Sequence, residues 1–400
     1  MRVCFLNRSY WPDTGATGQL LTELAEDLAS HHGMEVTVIT GRPLAARCTP
    51  PPRREVRRGV TILRGAGTTF GPEAFAGRAA NYLTYFASAC RLARALPPQD
   101  VVVAMTDPPI IGLAALAMRG RPPLIFYCQD IFPEVAALLQ DFRSGTVDRL
   151  LDRVTRYLLR RARHVVALGD TMAHRLAEEK GVSRSKIVVI HNWADTTAIT
   201  PGPQRNPFSE AHGLAGKFVV LHAGNLGQAQ GLETVLDAAD RLRVHDDIVF
   251  LFIGDGTARR RLEERAAVRG LERVLFLPYQ PREQMRWTYA TASVFLVSLK
   301  PGLAGYIVPS KVYGILAAGR PWIAAVDEES EVAAMTAQHG CGVRVAPGDA
   351  AALAEAIVSL RANPAQCAAM GERARAASAL FDRARQVAAH AALIRAAGAA

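Results

Sequence analysis

The stretch Leu221-His222-Ala223-Gly224-Asn225-Leu226-Gly227-Gln228-Ala229-Gln230-Gly231-Leu232-Glu233 decides how the second half of the chain is organised. It continues an apolar run over residues 218–222, and its glycines fall where a strand would turn into a helix. Glycine lets backbone approach a ligand closely, and a helix starting near Gly231 would present unpaired N–H groups to an anion. Downstream, short apolar runs recur at 248–253, 274–277, 294–297, 322–325 and 343–345, with helix-length segments between them. Continuous apolar strands alternating with helices predict a parallel sheet buried on both faces.

The first half repeats the design. Runs at 3–6, 36–40, 61–63, 101–105, 124–127, 165–168 and 187–190 read as strands, and 19–30 and 171–180 as amphipathic helices. Between the two series lies a Pro-, Gly- and polar-rich stretch over 196–216, which reads as a linker. The 400 residues therefore suit two α/β domains with Rossmann-like parallel sheets, 1–200 and 201–379. Residues 363–400 are Ala/Arg-rich and helical. Two such domains facing each other would hold a ligand between their strand C-terminal ends.

Two more segments carry chemistry. Pro12-Asp13-Thr14-Gly15-Ala16-Thr17-Gly18 lies between the first strand and first helix, where a dinucleotide fold binds phosphate. That fold also wants an acid ending its second strand, and this strand ends Thr40-Gly41-Arg42. In the segment 307–321, Ser310 is expected to cap a helix and Lys311 to occupy its first turn. A lysine there opposes the helix dipole, which a bound anion would explain. No Asp-x-Asp and no His/Cys metal spacing occurs, so neither a cofactor nor a metal is expected.

These segments occur in a fixed order. Gly224–Gly231 is followed by Phe252-Ile253-Gly254-Asp255-Gly256, Phe276-Leu277-Pro278-Tyr279 and the 309–321 segment, with Gln129-Asp130-Ile131-Phe132-Pro133-Glu134 and Ile190-His191-Asn192-Trp193-Ala194-Asp195 before them. The set resembles the family-4 glycosyltransferases of the retaining GT-B class, in the subgroup making bacterial capsule, colanic-acid and O-antigen (lipopolysaccharide) polysaccharides. The resemblance implies a sugar transferred from a nucleotide donor, UDP-linked, to a glycan or lipid-linked sugar acceptor, with the final helix (380–400) crossing back to complete the first domain. It places Gly15 and Gly18 near the donor phosphates or sugar, and Gly224, Asn225 and Gln230 in the donor loop. Gly254, Asp255 and Gly256 would border the donor pocket, Leu277, Pro278 and Tyr279 the base, and Ser310 and Lys311 the diphosphate. Asp130 would orient the acceptor. The chain departs from the family pattern at Asn225 and Gln230, where arginine and lysine are usual, and at Tyr306 and Gly314, where two glutamates are usual. A sugar-nucleotide-binding partner without activity and a nucleotide-sugar epimerase are the alternative readings.

Charge and cysteine usage frame these expectations. The net charge is +10, with a surplus of 7 basic residues in 1–200 and 3 in the remainder. No nucleic-acid-binding signature accompanies it. Arg149, Arg153, Arg156, Arg160 and Arg163 fall on one helical stripe opposite Val147, Leu151, Val154 and Leu158, which reads either as a face for anionic lipid at the inner membrane or as a solvated face with Asp152 paired to Arg156. The segment 71–96, with Phe75, Tyr82, Tyr85 and Phe86, reads as core or cleft packing or as a stretch that dips into a bilayer surface. No apolar run approaches the roughly 20 residues of a spanning helix. The six cysteines (Cys4, Cys48, Cys90, Cys128, Cys341, Cys367) form no C-x-x-C pair. Reduced thiols, no secretion signal and a cytoplasmic location, peripheral at the inner membrane, are expected. His191, at a strand end, reads as functional or structural with equal force.

Overall fold

The computed structural model describes residues 1–13, 15–43, 51–71, 75–139 and 145–399. Thr14, Cys48, residues 72–74 and the side chain of Phe75 lie outside the described residues. The chain divides into two compact units, Met1–His191 with Gln386–Ala400, and Asn192–Arg385.

The first unit is built on strands β1 (Arg2–Leu6), β2 (Glu35–Thr40), β3 (Arg54–Arg57), β4 (Val60–Arg64), β5 (Val101–Ala104), β6 (Leu124–Tyr127), β7 (His164–Ala167) and β8 (Ile187–Val189). They form one sheet in the order β3-β4-β2-β1-β5-β6-β7-β8. Strand β1 pairs in parallel with β2 on one side and β5 on the other, placing Val3 beside Val36 and Val101. Every residue of β5 and β6 is buried, which is why both read as unbroken apolar runs. Strand β3 was not anticipated. Its Arg54-Glu55-Val56-Arg57 sequence is polar because it is an edge strand, antiparallel to β4. Arg58 and Gly59 (φ 46° and 81°) turn the chain between them, a two-residue hairpin whose left-handed positions favour glycine.

The second unit carries β9 (Phe218–Ala223), β10 (Ile248–Ile253), β11 (Val274–Leu277), β12 (Val294–Ser298), β13 (Trp322–Ala325) and β14 (Gly342–Val345). All neighbours are parallel, in the order β11-β10-β9-β12-β13-β14. Successive side chains feed two separate cores. Val249, Leu251 and Ile253 join one, and Ile248, Phe250 and Phe252 the other. In each sheet the first strand of the series lies between its sequence successor and a later strand. The loops leaving those strands therefore diverge around a crevice, where such sheets bind ligands.

The boundary between the units falls at His191 because residues after it are tied to the second unit. Ala194 bridges to Asp382, whose carboxylate accepts from Thr196 Oγ1 at 2.6 Å, and Arg375 donates to the carbonyls of Thr196, Ile199 and Ala317. From Gln386 onward the helix Arg383–Gly398 belongs to the first unit. There buried His390 packs on Tyr127 with ring centroids 4.8 Å apart. Burial pushes the His390 imidazole down to about 3, so it packs as a neutral ring.

The arginine stripe lies on the helix Gly145–Arg161, whose Thr155, Leu158 and Leu159 are buried. Arg156 pairs with Asp152 at 2.7 Å, and Arg149, Arg153, Arg160 and Arg163 are exposed. In the 71–96 segment Tyr85 is buried and donates to the Ile39 carbonyl, so core packing is its observed role. The five described cysteines are free thiols. Among the described residues no helix is long and apolar enough to cross a membrane.

One buried cation ties the loop after β6 to the rest of its unit. The fully buried Lys180 side chain donates to Glu134 and Asp152, each at 2.7 Å. Glu134, in the Gln129–Glu134 motif, thus serves as an anchor for the loop bearing Asp130. Removing one partner of a buried pair strands the others, a loss of roughly 3–5 kcal/mol when all are buried. The two carboxylates here are 27% and 29% exposed, so Lys180→Ala should cost about 2–3 kcal/mol. Lys186→Ala, which removes bonds only to backbone carbonyls, should cost less. Urea unfolding midpoints of the two variants check this, and equal midpoints would remove Lys180 as an anchor.

Candidate active site

In the second unit the loops leaving β9 and β10 lie backbone against backbone. The Gly224 N–H donates to Ile253, Leu226 to Asp255, Gly254 to Leu277 and Ala258 to Leu226, all within 3.0 Å. A Cβ on Gly254 (φ 144°) would lie 1.9 Å from the Gly224 carbonyl oxygen, and one on Gly256 (φ 156°) 2.5 Å from Asn225 Oδ1. No side chain fits at either position, so the loop-on-loop contact itself demands both glycines.

The neutral residues at 225 and 230 close this loop on itself. The Asn225 side chain sits between Gly227 and Gly256, and Gln230 Oε1 accepts from the Gly227 N–H at 3.1 Å. One 3-10 turn, Gln228–Gln230, intervenes before a left-handed Gly231, and the helix begins only at Glu233. Asp255 is held locally, its Oδ1 accepting from Gly256 N–H at 2.8 Å. On the next loop, the Leu277 carbonyl receives Gly254, the Pro278 carbonyl receives Gln280 Nε2, and Tyr279 stands 45% exposed.

Lys311 reaches the same loops from the helix Lys311–Ala317. Its Nζ lies 3.0 Å from His222 Nε2, and its Cε and Nζ would be 3.5 and 3.6 Å from a Cβ on Gly224. Burial pushes the ammonium down to about 7. His222, a buried residue of β9, is held far below its ordinary range by burial and then by Lys311, so the imidazole is neutral. Ser310 departs from expectation. It occupies the cap position in helical conformation (φ −66°, ψ −19°), and its side chain makes no capping bond. At Gly314 a Cβ would meet the Tyr289 ring at 3.0 Å, so that ring fills the space where the family glutamate would start.

In the first unit Gly15 precedes the helix Ala16–Ser30 in extended conformation, and a Cβ there would meet open space. Gly18 lies inside that helix, buried, where a Cβ would be 3.4 Å from the Tyr10 nitrogen, a packing position. Asp130 lines a cavity of about 10 Å³ with Thr106, Cys128 and Phe132. Burial, then the charge of Asp107, pushes its carboxyl up to about 7. Asp107 accepts from Arg8 Nε at 3.1 Å and Ser9 Oγ at 2.6 Å, and the Arg8 guanidinium lies 5.4 Å from the Tyr82 ring centroid. His191 Nδ1 lies 2.9 Å from the Leu168 carbonyl, a bond that fixes the ring to the strand end before it.

Sequence reasoning overlooked His222, Arg8 and Asp107. Asp107 and Arg8 had a usable signal, since both follow strands at the sheet end where ligands bind. His222 had none, because a histidine inside an apolar strand reads as core. Among the described residues no group of three or more His, Cys, Asp or Glu is placed to hold a metal.

Comparison with known proteins accounts for both units. Residues 15–193 match the glycosyl transferase 4-like domain and residues 204–377 the glycosyl transferases group 1 domain. WbjE of Pseudomonas aeruginosa, named as a glycosyltransferase, is 29% identical over 64% of this chain and 65% of its own length. WcaI of Escherichia coli (strain K12), named as a colanic acid biosynthesis glycosyl transferase, is 27% identical over 80% of this chain and 82% of its own. The structure of Anabaena Alr3699/HepE with UDP-glucose superposes with a TM-score of 0.74, at 19% identity, over 99% of this chain and all of that one (100%). The two domain matches together cover most of the chain, which belongs to the family-4 glycosyltransferases and has their GT-B fold.

Proposed function

We propose that the enzyme transfers a hexosyl or N-acetylhexosaminyl group from a UDP-linked sugar to a glycan or lipid-linked acceptor in cell-surface polysaccharide biosynthesis, with retention and without metal. The observation that carries this reading is Lys311, a cation placed under Gly224 whose described hydrogen-bond partners lie on a neutral imidazole. A desolvated ammonium without a carboxylate is completed by an anion, and a leaving diphosphate is such an anion. HepE, with UDP-glucose in its structure, and WcaI, named for colanic acid biosynthesis, support the donor and acceptor classes.

In the proposed step the bond from the anomeric carbon to the diphosphate breaks, and the acceptor oxygen bonds to that carbon on the same face. The acceptor's proton passes to the departing diphosphate oxygen, so no strong protein base is needed. Asp130 orients the acceptor hydroxyl when ionised.

Incubating the protein with a panel of sugar nucleotides should release UDP in an acceptor-dependent manner, equally in excess chelator and in added magnesium. Loss of release on chelation, restored by metal, overturns the metal-independent part. A changed sugar still attached to its nucleotide overturns transfer itself.

Loss of one preorganised charge stabiliser slows turnover by about 10²–10³-fold, the expected effect of Lys311→Ala. Lys311→Arg should rescue only in part, since a planar guanidinium does not replace a compact ammonium. Steady-state kinetics check this, and near-parental turnover in Lys311→Ala places the diphosphate elsewhere.

The exposed arginines support contact with the anionic inner-membrane leaflet. Because Arg156 is taken up by Asp152, the residues to replace are Arg153, Arg160 and Arg163. Each contributes about 1 kcal/mol near an anionic surface, so the triple glutamine variant should lose most binding to phosphatidylglycerol vesicles while keeping UDP binding. Unchanged vesicle binding leaves the stripe a solvated face.

A further inference from the structure

His222 has no obvious reason to be polar. It sits in β9, the strand flanked by β10 and β12, is 1% exposed, and lies 6.0 Å from the Phe252 ring between centroids. An apolar residue would satisfy the sheet there, as Val220 and Leu221 do beside it. The imidazole instead meets the Asn225 carbonyl at 3.3 Å through Nε2, and Lys311 Nζ at 3.0 Å through Nε2 and 3.4 Å through Nδ1. A neutral imidazole has one N–H and one lone pair. With the Nε2 lone pair turned to Lys311 at 3.0 Å, the N–H lies on Nδ1 and serves the Leu296 carbonyl, and the Asn225 carbonyl stands beside Nε2 without receiving a proton.

We propose that His222 is a positioning residue for the transfer reaction: it accepts one N–H of Lys311 and leaves that ammonium's other donors to the donor diphosphate. The proposal rests on the reading that Lys311 meets the diphosphate, and it adds the group that makes that lysine available. A carboxylate in place of His222 would neutralise Lys311, and a diphosphate would have to compete with it. An apolar residue would leave the desolvated ammonium without an acceptor and favour the neutral amine. A neutral acceptor does not compete with the diphosphate as a carboxylate would, and it holds the nitrogen in place and supports its charged form more than an apolar residue would.

The surrounding charges leave this pair to itself. Asp255, on the loop after β10, is engaged by the Gly256 N–H, and Asp327, on the loop after β13, by the Gly302 N–H. Arg259 is bonded to the Gly254 carbonyl and Glu263, and Lys300, after β12, packs along Gly231. With its ammonium pushed down to about 7, Lys311 is largely neutral at pH 8 in the free protein. A diphosphate, already ionised at that pH, favours the charged form, so binding takes up a proton from solvent.

The test uses the full chain with UDP as probe and four variants, His222→Phe, His222→Met, His222→Gln and Lys311→Met. Calorimetry at pH 8 in two buffers of different ionisation enthalpy counts protons taken up, and kcat/KM is followed from pH 6 to 9. The parent protein should take up a large fraction of a proton, and Lys311→Met none. His222→Phe should lower kcat/KM by about 10-fold or more, the scale of one hydrogen bond to a charged group, and move the alkaline limb to lower pH. His222→Met gives the same reading if the bulkier ring does not fold. His222→Gln, which restores an acceptor, should recover most of both effects. If the Phe or Met variant keeps parental kcat/KM and alkaline limb while Lys311→Met loses proton uptake, His222 has no positioning role and the diphosphate reading stands. If Lys311→Met binds UDP with the parental affinity and proton count, the reading beneath the proposal fails.

Discussion

The close approach of Gly254 to the Gly224 carbonyl is the constraint on which the donor-side architecture depends. With 1.9 Å left for any Cβ, the two loops can lie together only as bare backbone. That contact fixes Gly224 over the Lys311 side chain and seats the Asn225 amide between Gly227 and Gly256. The loop glycines therefore act through each other, whatever ligand their N–H groups later meet. A family pattern that reads them as ligand contacts describes the same residues from the other side.

This arrangement buries a cation without a carboxylate, a choice that costs stability and is common at functional sites. The unfolded lysine keeps its ordinary value of 10.5 while the folded one is pushed down to about 7. Between those values the unfolded chain binds more protons, so this group makes stability rise with pH across that window. The first unit handles its buried cation the opposite way. Lys180 meets two carboxylates and serves the fold, whereas Lys311 meets a neutral ring and remains available. Burial alone does not tell the two lysines apart. The partner does.

Asp130 and Asp107 show how the first unit shapes a carboxylate. Arg8 and Ser9 fix the Asp107 carboxylate in place, and burial, then the charge of Asp107, raises Asp130 to about 7. A carboxyl poised near neutrality can accept or give a hydrogen bond to a sugar hydroxyl, which suits orientation better than strong base catalysis. The Lys180–Glu134 anchor then keeps its loop in place.

The sequence by itself determined the two parallel sheets and their strands, because a strand buried on both faces must be apolar throughout and the chain has no other way to read such a run. It also marked the glycine loops and singled out Lys311 as a cation at odds with its helix. It concealed β3, whose edge position makes it polar, although Arg58-Gly59 was a hairpin signal. Only the tertiary structure decided that Ser310 makes no cap, that Gly18 packs inside a helix, and that Asn225 and Gln230 close their loop. It alone brought His222 to Lys311, 89 residues apart, and assigned residues 192–200 to the second unit through Asp382 and Arg375. The physical reason is common to these cases. Hydrophobic periodicity is written locally along the chain, whereas the partner of a polar group is fixed by where distant segments meet.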